Sequence, residues 1–158
     1  MSREISYINS PLGLLKITIK HDKLKSIEFS NNQFKKENDD KEKSKLMKNV
    51  IKQIEEYFNQ NRKVFDVDIE IEGTAFQKDI YNTLLKTKYG ETISYKELAI
   101  KSGHPKAYRA CGSALKTNKI PIIIPCHRVI KSNGAIGNYN GGNWRKKRLL
   151  KLEGSDNF

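Results

Sequence analysis

The chain has 158 residues, 37% of them hydrophobic and 30% charged, with a formal net charge of +12. That is enough apolar material for one compact domain or two small ones. No stretch approaches the roughly 20 apolar residues of a membrane span, and "MSREISYINS" lacks the apolar core of a signal peptide, so a cytoplasmic protein without membrane contact is expected.

Taken in chain order, "EISYI", "LLKITI" and "LKSIEF" are short runs rich in β-branched or aromatic residues, separated by the turn formers "NSPLG" and "KHDK". They predict an antiparallel meander. A polar, charge-mixed loop, "SNNQFKKENDDKEK", follows. In "SKLMKNVIKQIEEYFNQ" the spacing of Leu46, Met47, Val50, Ile51, Ile54, Tyr57 and Phe58 predicts a helix with one apolar stripe. "KVFDVDIEI" alternates like a strand. Residues 1–72 therefore read as a small α/β unit without evident chemistry.

Gly73 opens a second region, 73–158. "TAFQKDIYNTLLKTKY" predicts a helix capped by Thr74, with Phe76, Ile80, Leu84 and Leu85 facing its core. "SYKELAIKSG" starts with a capping box of Ser94 and Glu97 and stops at Gly103. "HPKAYRACGSALKT" predicts another helix, with Pro105 in its first turn, small residues at Ala107, Ala110, Gly112, Ser113 and Ala114, and cations at Lys106 and Arg109. Two short helices joined through a glycine are a helix-turn-helix candidate, a pattern shared with many ordinary helix pairs. A helix stripped of long side chains suits close approach to a narrow groove better than the reading of base edges in a wide one.

Charge is unevenly divided. Residues 1–73 carry 14 Lys+Arg against 13 Asp+Glu, whereas residues 74–158 carry 16 against 5, so +11 of the +12 lies in the second region. A one-sided positive charge favours a polyanion partner, because lysine and arginine displace counterions from a phosphate backbone.

The two cysteines, Cys111 and Cys126, lack metal-ligand or redox spacing, which favours free thiols. Cys126 stands beside His127 in "IPIIIPCHRVI". A thiol of ordinary pKa is only a few per cent ionised near neutrality, so a reactive cysteine needs a helper. Adjacent side chains on an extended chain diverge, however, and a small buried Cys with a backbone-bonded His is the commoner meaning of such a pair taken alone.

The longer string "NKIPIIIPCHRVIKSNGAIGNYNGG" resembles the active-site signature of the O6-alkylguanine-DNA alkyltransferases, with Pro125, Cys126, His127, Arg128 and Val129 unbroken. The resemblance extends through "ISYKELA", "HPKAYRACG", "GNYNGG" and "LLKLEG", over nearly all of residues 74–154. It implies a ribonuclease-H-like α/β domain over 1–72, followed over 73–158 by a mostly α, winged helix-turn-helix domain carrying the active site. The implied activity is single-turnover repair: O6-alkylguanine is rotated out of double-stranded DNA and its alkyl group passes irreversibly to Cys126.

In the same resemblance, His127 and Glu153 with a water deprotonate Cys126, Tyr95 donates toward guanine N3, and Asn118 braces the turn between recognition helix and cysteine. Tyr139 packs on the base, the Asn140 amide lies near O6, and the Cys126 and Val129 carbonyls read the exocyclic amine. Lys106, Ala107, Tyr108, Arg109, Ala110 and Gly112 form the DNA-binding surface together with Arg128, and Arg109 fills the space left by the extruded base. Neither cofactor nor metal is expected, and a monomer is the expected state. The family more often has a small or aliphatic residue at position 108 and a Ser at position 140; Trp144 lies in a variable, basic stretch, "NWRKKRLL". Two rivals share part of the pattern. A lesion-recognition module without catalysis would lack Cys126, and a cysteine hydrolase usually has its His far away in sequence.

Overall fold

The computed structural model describes residues 3–30, 42–155 and 158. The chain divides into two compact units, Met1–Glu70 and Ile71–Phe158. In the first, strands β1 (Glu4–Ser10), β2 (Gly13–Lys20) and β3 (Lys23–Ser30) form the expected antiparallel meander. Its register pairs Tyr7 with Lys16 and Ile17 with Ile27. The β2–β3 connection is a two-residue turn in which His21 and Asp22 both have positive φ, 56° and 58°, the handedness that matches the twist of paired strands. The loop at 31–41 lies outside the described residues.

Helix α1 (Lys45–Phe58) starts at Ser44, whose side chain accepts the Met47 amide. Met47, Val50, Ile54 and Tyr57 are fully buried, while Leu46, Ile51 and Phe58 lie at the margin of the stripe. Gln53 is also buried, because its amide pairs with the Asp66 backbone in both directions: Gln53 Nε2 donates to Asp66 O at 3.0 Å and Asp66 N donates to Gln53 Oε1 at 2.8 Å. This pairing explains a departure from expectation. The 63–71 segment does not form a strand of its own and meets the sheet only at an isolated Leu24–Ile69 bridge. With the Asp66 amide bonded to Gln53 and the Val64 carbonyl to Arg62, the segment cannot offer a continuous ladder.

The second unit holds helix α2 (Ala75–Leu85), strand β4 (Ile93–Ser94), helices α3 (Tyr95–Lys101) and α4 (Tyr108–Lys116), a 3₁₀ turn (Cys126–Arg128), strand β5 (Val129–Ile130) and helix α5 (Asn143–Leu152). Both predicted caps are present as full capping boxes, Thr74 with Gln77 and Ser94 with Glu97. The core face of α2 is Ile80, Tyr81 and Leu84, and each of the two aliphatic chains contributes about 1.5–3 kcal/mol by burial. Leu85, expected inside, is exposed. Tyr81 is buried instead, because its hydroxyl donates to Ala114 O at 2.8 Å and meets Thr117 Oγ1 at 2.6 Å.

Helix α4 starts three residues later than Pro105. His104–Ala107 is a β-turn closed by Ala107 N donating to His104 O at 2.9 Å, so Pro105 occupies the second position of that turn and lies outside the first helical turn. Lys106 stands in the same turn. The α4 residues Cys111, Ala114 and Leu115 face inward, and Arg109, Ala110, Ser113 and Lys116 face outward. His104, the first residue of that β-turn, bonds Asp79 Oδ2 through Nε2 at 2.9 Å.

The apolar run before Cys126 is a buried turn. Ile120, Ile122, Ile123 and Ile124 are all buried, and Ile124 N donates to Ile120 O at 2.9 Å. Ile122 has φ 76°, a conformation costing a β-branched residue roughly 1–3 kcal/mol, held by its surroundings. From this turn the chain enters β5, which pairs in parallel with β4 (Ile93 with Val129) and sets the cysteine segment beside the start of α3.

Candidate active site

Cys126 begins the 3₁₀ turn and is 5% exposed, at one wall of a cavity of 740 Å³. Tyr95, Gly112, Tyr139 and Asn140 line that cavity, together with Tyr108 and Arg109 of α4. Asn118 holds the nucleophile's turn: its Nδ2 donates to Ile124 O at 2.9 Å and to Cys126 Sγ at 3.2 Å, and its Oδ1 accepts from Ile120 N at 3.0 Å. Burial pushes the Cys126 thiol up, opposed chiefly by the Asn118 hydrogen bond and the Lys146 charge. The resting group is therefore a protonated thiol beside donors that favour its anion.

Behind the cysteine, His127 is fully buried. Its Nε2 lies 2.8 Å from Glu153 Oε2. An ionised carboxylate only accepts hydrogen bonds, so Nε2 carries the proton and a neutral ring presents Nδ1 as a base. Nδ1 is buried and has no hydrogen-bond partner among the described residues. Burial lowers the His127 pKa and outweighs the raising effect of Glu153, which keeps the ring neutral at pH 7.

Glu153 caps the C-terminus of α5, and its side chain is 1% exposed. Gly154 (φ 96°) supplies the left-handed residue that lets Gly154 N and Ser155 N close onto Lys151 O and Leu150 O, turning the chain so that Glu153 points inward. Burial alone would raise its pKa, but hydrogen bonds and charge from His127 and Arg128 leave it well below the usual carboxylate range.

Arg128 corrects an expectation. It is 6% exposed and does not face outward as a DNA contact. Its Nε and Nη2 donate to Glu153 at 2.9 and 3.2 Å, and its Nη1 donates to Thr87 O at 2.9 Å. With those donors fixed inside, it orients the carboxylate that orients His127. Val129 has a fully buried side chain, and its carbonyl, the group expected to read the base, accepts from Lys146 Nζ at 2.5 Å.

Lys146 was not legible in the sequence, hidden in "NWRKKRLL" between an arginine and a lysine. It is 0% exposed, bridges Val129 O and Asn138 O (3.2 Å), and burial pushes its pKa down to about 8. It thereby ties the cysteine segment to the 137–140 loop and sets a cation near the thiol. Gly137 makes the approach possible, since a Cβ there would sit 3.0 Å from the Tyr95 hydroxyl and 3.5 Å from Lys146 Nζ. Tyr139 also differs from a ring merely packed in the pocket: its buried hydroxyl interacts electrostatically with the Cys126 thiol, and burial, then Cys126, pushes its pKa well up.

The Tyr95 hydroxyl stands beside the Asn138 backbone, and its ring lies 3.8 Å from where a Gly112 Cβ would be. Asn140 Nδ2 donates to Lys116 O at 3.0 Å, tying the loop to the end of α4. Lys106, Arg109 and Ala110 are exposed, while Ala107 and Gly112 are partly so. Cys111 is buried on the inner face of α4.

Residues 5–71 match the family described as "6-O-methylguanine DNA methyltransferase, ribonuclease-like domain", and residues 75–155 match "6-O-methylguanine DNA methyltransferase, DNA binding domain". A methylated-DNA–protein-cysteine methyltransferase of Methanosarcina acetivorans is 43% identical over 148 residues, 92% of this chain and 95% of its own. One from Mycobacterium tuberculosis is 45% identical over 106 residues, 67% of this chain and 64% of its own. The crystal structure of Mycobacterium tuberculosis O6-methylguanine methyltransferase superposes with a TM-score of 0.84 at 35% identity, covering 98% of this chain and 94% of that one. The structure of the same organism's OGT in complex with DNA gives a TM-score of 0.84 at 36% identity, covering 96% and 93%. With its ribonuclease-like first unit and DNA-binding second unit, this chain belongs to the 6-O-methylguanine DNA methyltransferase family.

Proposed function

We propose that this chain repairs O6-alkylguanine in double-stranded DNA by transferring the alkyl group to Cys126, once per molecule. The observation that carries the reading is a thiol on a cavity wall, backed by the hydrogen-bonded series Arg128–Glu153–His127 and braced by Asn118. A water between His127 Nδ1 and the thiol passes the Cys126 proton to the imidazole. The sulfur then attacks the alkyl carbon; the S–C bond forms, the C–O6 bond breaks, and the electron pair leaves with guanine. Tyr95 donates toward the ring as charge spreads into it, and the imidazolium returns its proton to solvent as guanine is reprotonated.

The product thioether is a poor leaving group, and no described residue is arranged to hydrolyse it. Residues 1–72 act as the ribonuclease-H-like domain and 73–158 as the catalytic one. Helices α3 and α4 form a winged helix-turn-helix, with α4 entering the minor groove through Arg109 and Ala110 and the 131–135 loop standing as the wing. A cytoplasmic monomer fits a complete site within one chain. The test is a Cys126→Ser variant: it should bind an O6-methylguanine duplex as tightly as wild type without removing the lesion. Lesion removal by this variant would overturn the assignment.

A further inference from the structure

Base extrusion leaves a hole in the helix and exposes the neighbouring base faces. Arg109 occupies the hole in the reading above, but nothing yet covers the flanking stack. Five large apolar side chains are exposed among the described residues, Val64, Leu85, Ile100, Tyr108 and Trp144, and of these Tyr108 alone lines the cavity. It is the first residue of α4, immediately before Arg109, and 38% exposed. Two cations attend its ring, Lys96 Nζ of α3 at 5.7 Å and Arg109 Cζ at 5.9 Å from the centroid. At that range their attraction to the ring face is significant, and it holds the ring at the surface beside the cavity mouth.

On a duplex, Lys96 has a stronger partner in the phosphates and Arg109 turns into the gap, which leaves the ring face to whatever lies beside it. In a minor groove that is a base step. Proteins that kink or open DNA from this side insert flat or apolar wedges there, and base–aromatic stacking is indifferent to sequence. Resting on the alkyl-transfer reading, we infer that Tyr108 is a stacking wedge: its ring packs on the base next to the extruded nucleotide while Arg109 fills the gap. A hydroxyl contact to phosphate is the competing use of the same residue, and the conservative variant separates the two.

The experiment compares wild type, Tyr108→Phe and Tyr108→Ala in alkyl transfer from an O6-methylguanine duplex and from free O6-benzylguanine base, which needs no extrusion. Stacking on one base corresponds to a loss of roughly five- to a hundred-fold for Tyr108→Ala on the duplex. Tyr108→Phe should match wild type there, and the Tyr108→Ala loss should be several-fold larger on the duplex than on the free base. A 2-aminopurine beside the lesion should be quenched by wild type and Tyr108→Phe but not by Tyr108→Ala. Equal duplex rates for all three proteins overturn the wedge. So does a Tyr108→Phe loss as large as that of Tyr108→Ala, which would identify a hydroxyl contact, or an equal loss on the free base, which would identify a pocket defect. A wild-type protein inert toward both substrates overturns the alkyl-transfer reading itself, and the wedge with it.

Discussion

At the scale of single residues, reactivity turns on how a buried thiol is made an anion. Burial opposes ionisation of Cys126, and Asn118, Lys146 and Tyr139 each favour the anion. Lys146 is the member whose removal gives the clearest signature. In Lys146→Met the lost positive charge should move the pH profile of Cys126 alkylation by iodoacetamide to higher pH and slow alkyl transfer at pH 7; an unmoved profile would mean that the cation acts only through the two carbonyls it bridges. His127 acts as a base only while neutral, and its lowered pKa keeps it so above mildly acidic pH. Replacing it by Phe should slow alkyl transfer by roughly a hundred-fold or more, read from single-turnover kinetics. The Cys126–His127 pair was visible in the sequence. Their relation came only through the family resemblance, because His127 is held by Glu153, 26 positions away, and Lys146 was missed because nothing in the sequence separates it from exposed Lys147.

At the scale of elements, α4 and the ends of α5 decide most. The outward face of α4 carries Ala110 and Ser113 between Arg109 and Lys116, a surface low enough to meet a groove floor. Ala110→Phe should weaken lesion-duplex binding while leaving urea unfolding within about 0.5 kcal/mol of wild type, as expected of an exposed position. Glu153→Gln should do the reverse as well as impair catalysis: it leaves Arg128 buried without its carboxylate, at a cost of about 3–5 kcal/mol in the same unfolding measurement. Elements with strong local signals were legible, namely the meander, the stripe of α1 and the two capping boxes. Those decided by remote partners were not. The 63–71 segment alternates like a strand but is captured by Gln53, Pro105 serves a β-turn instead of a helix start, and Arg128 is turned inward by a residue 25 positions later.

At the scale of the whole molecule, charge and acidity set the working range. Most of the +12 lies in residues 74–158, so duplex affinity should fall steeply with salt. Replacing exposed Lys106 or Lys116 by Gln should reduce the slope of log Kd against log salt by about 1 each where that lysine meets a phosphate. Acid should destabilise the fold through two groups. His127 and Glu153 both have pKa values below those of the unfolded chain, which therefore binds more protons, so their stabilisation is present at neutral pH and is lost as pH falls. The melting temperature should decline as pH falls below about 6.5, where the unfolded chain's histidine takes up a proton that buried His127 resists, and further below about 4.3, where Glu153 resists protonation but its unfolded counterpart does not. The central claim concerns where the alkyl group goes. Intact-protein mass spectrometry after mixing with a duplex carrying one O6-methylguanine, followed by peptide mapping, should find one methyl group in place of the Cys126 thiol hydrogen, with one lesion lost per protein molecule. Lesion loss beyond one per molecule, or an unmodified Cys126, would contradict it.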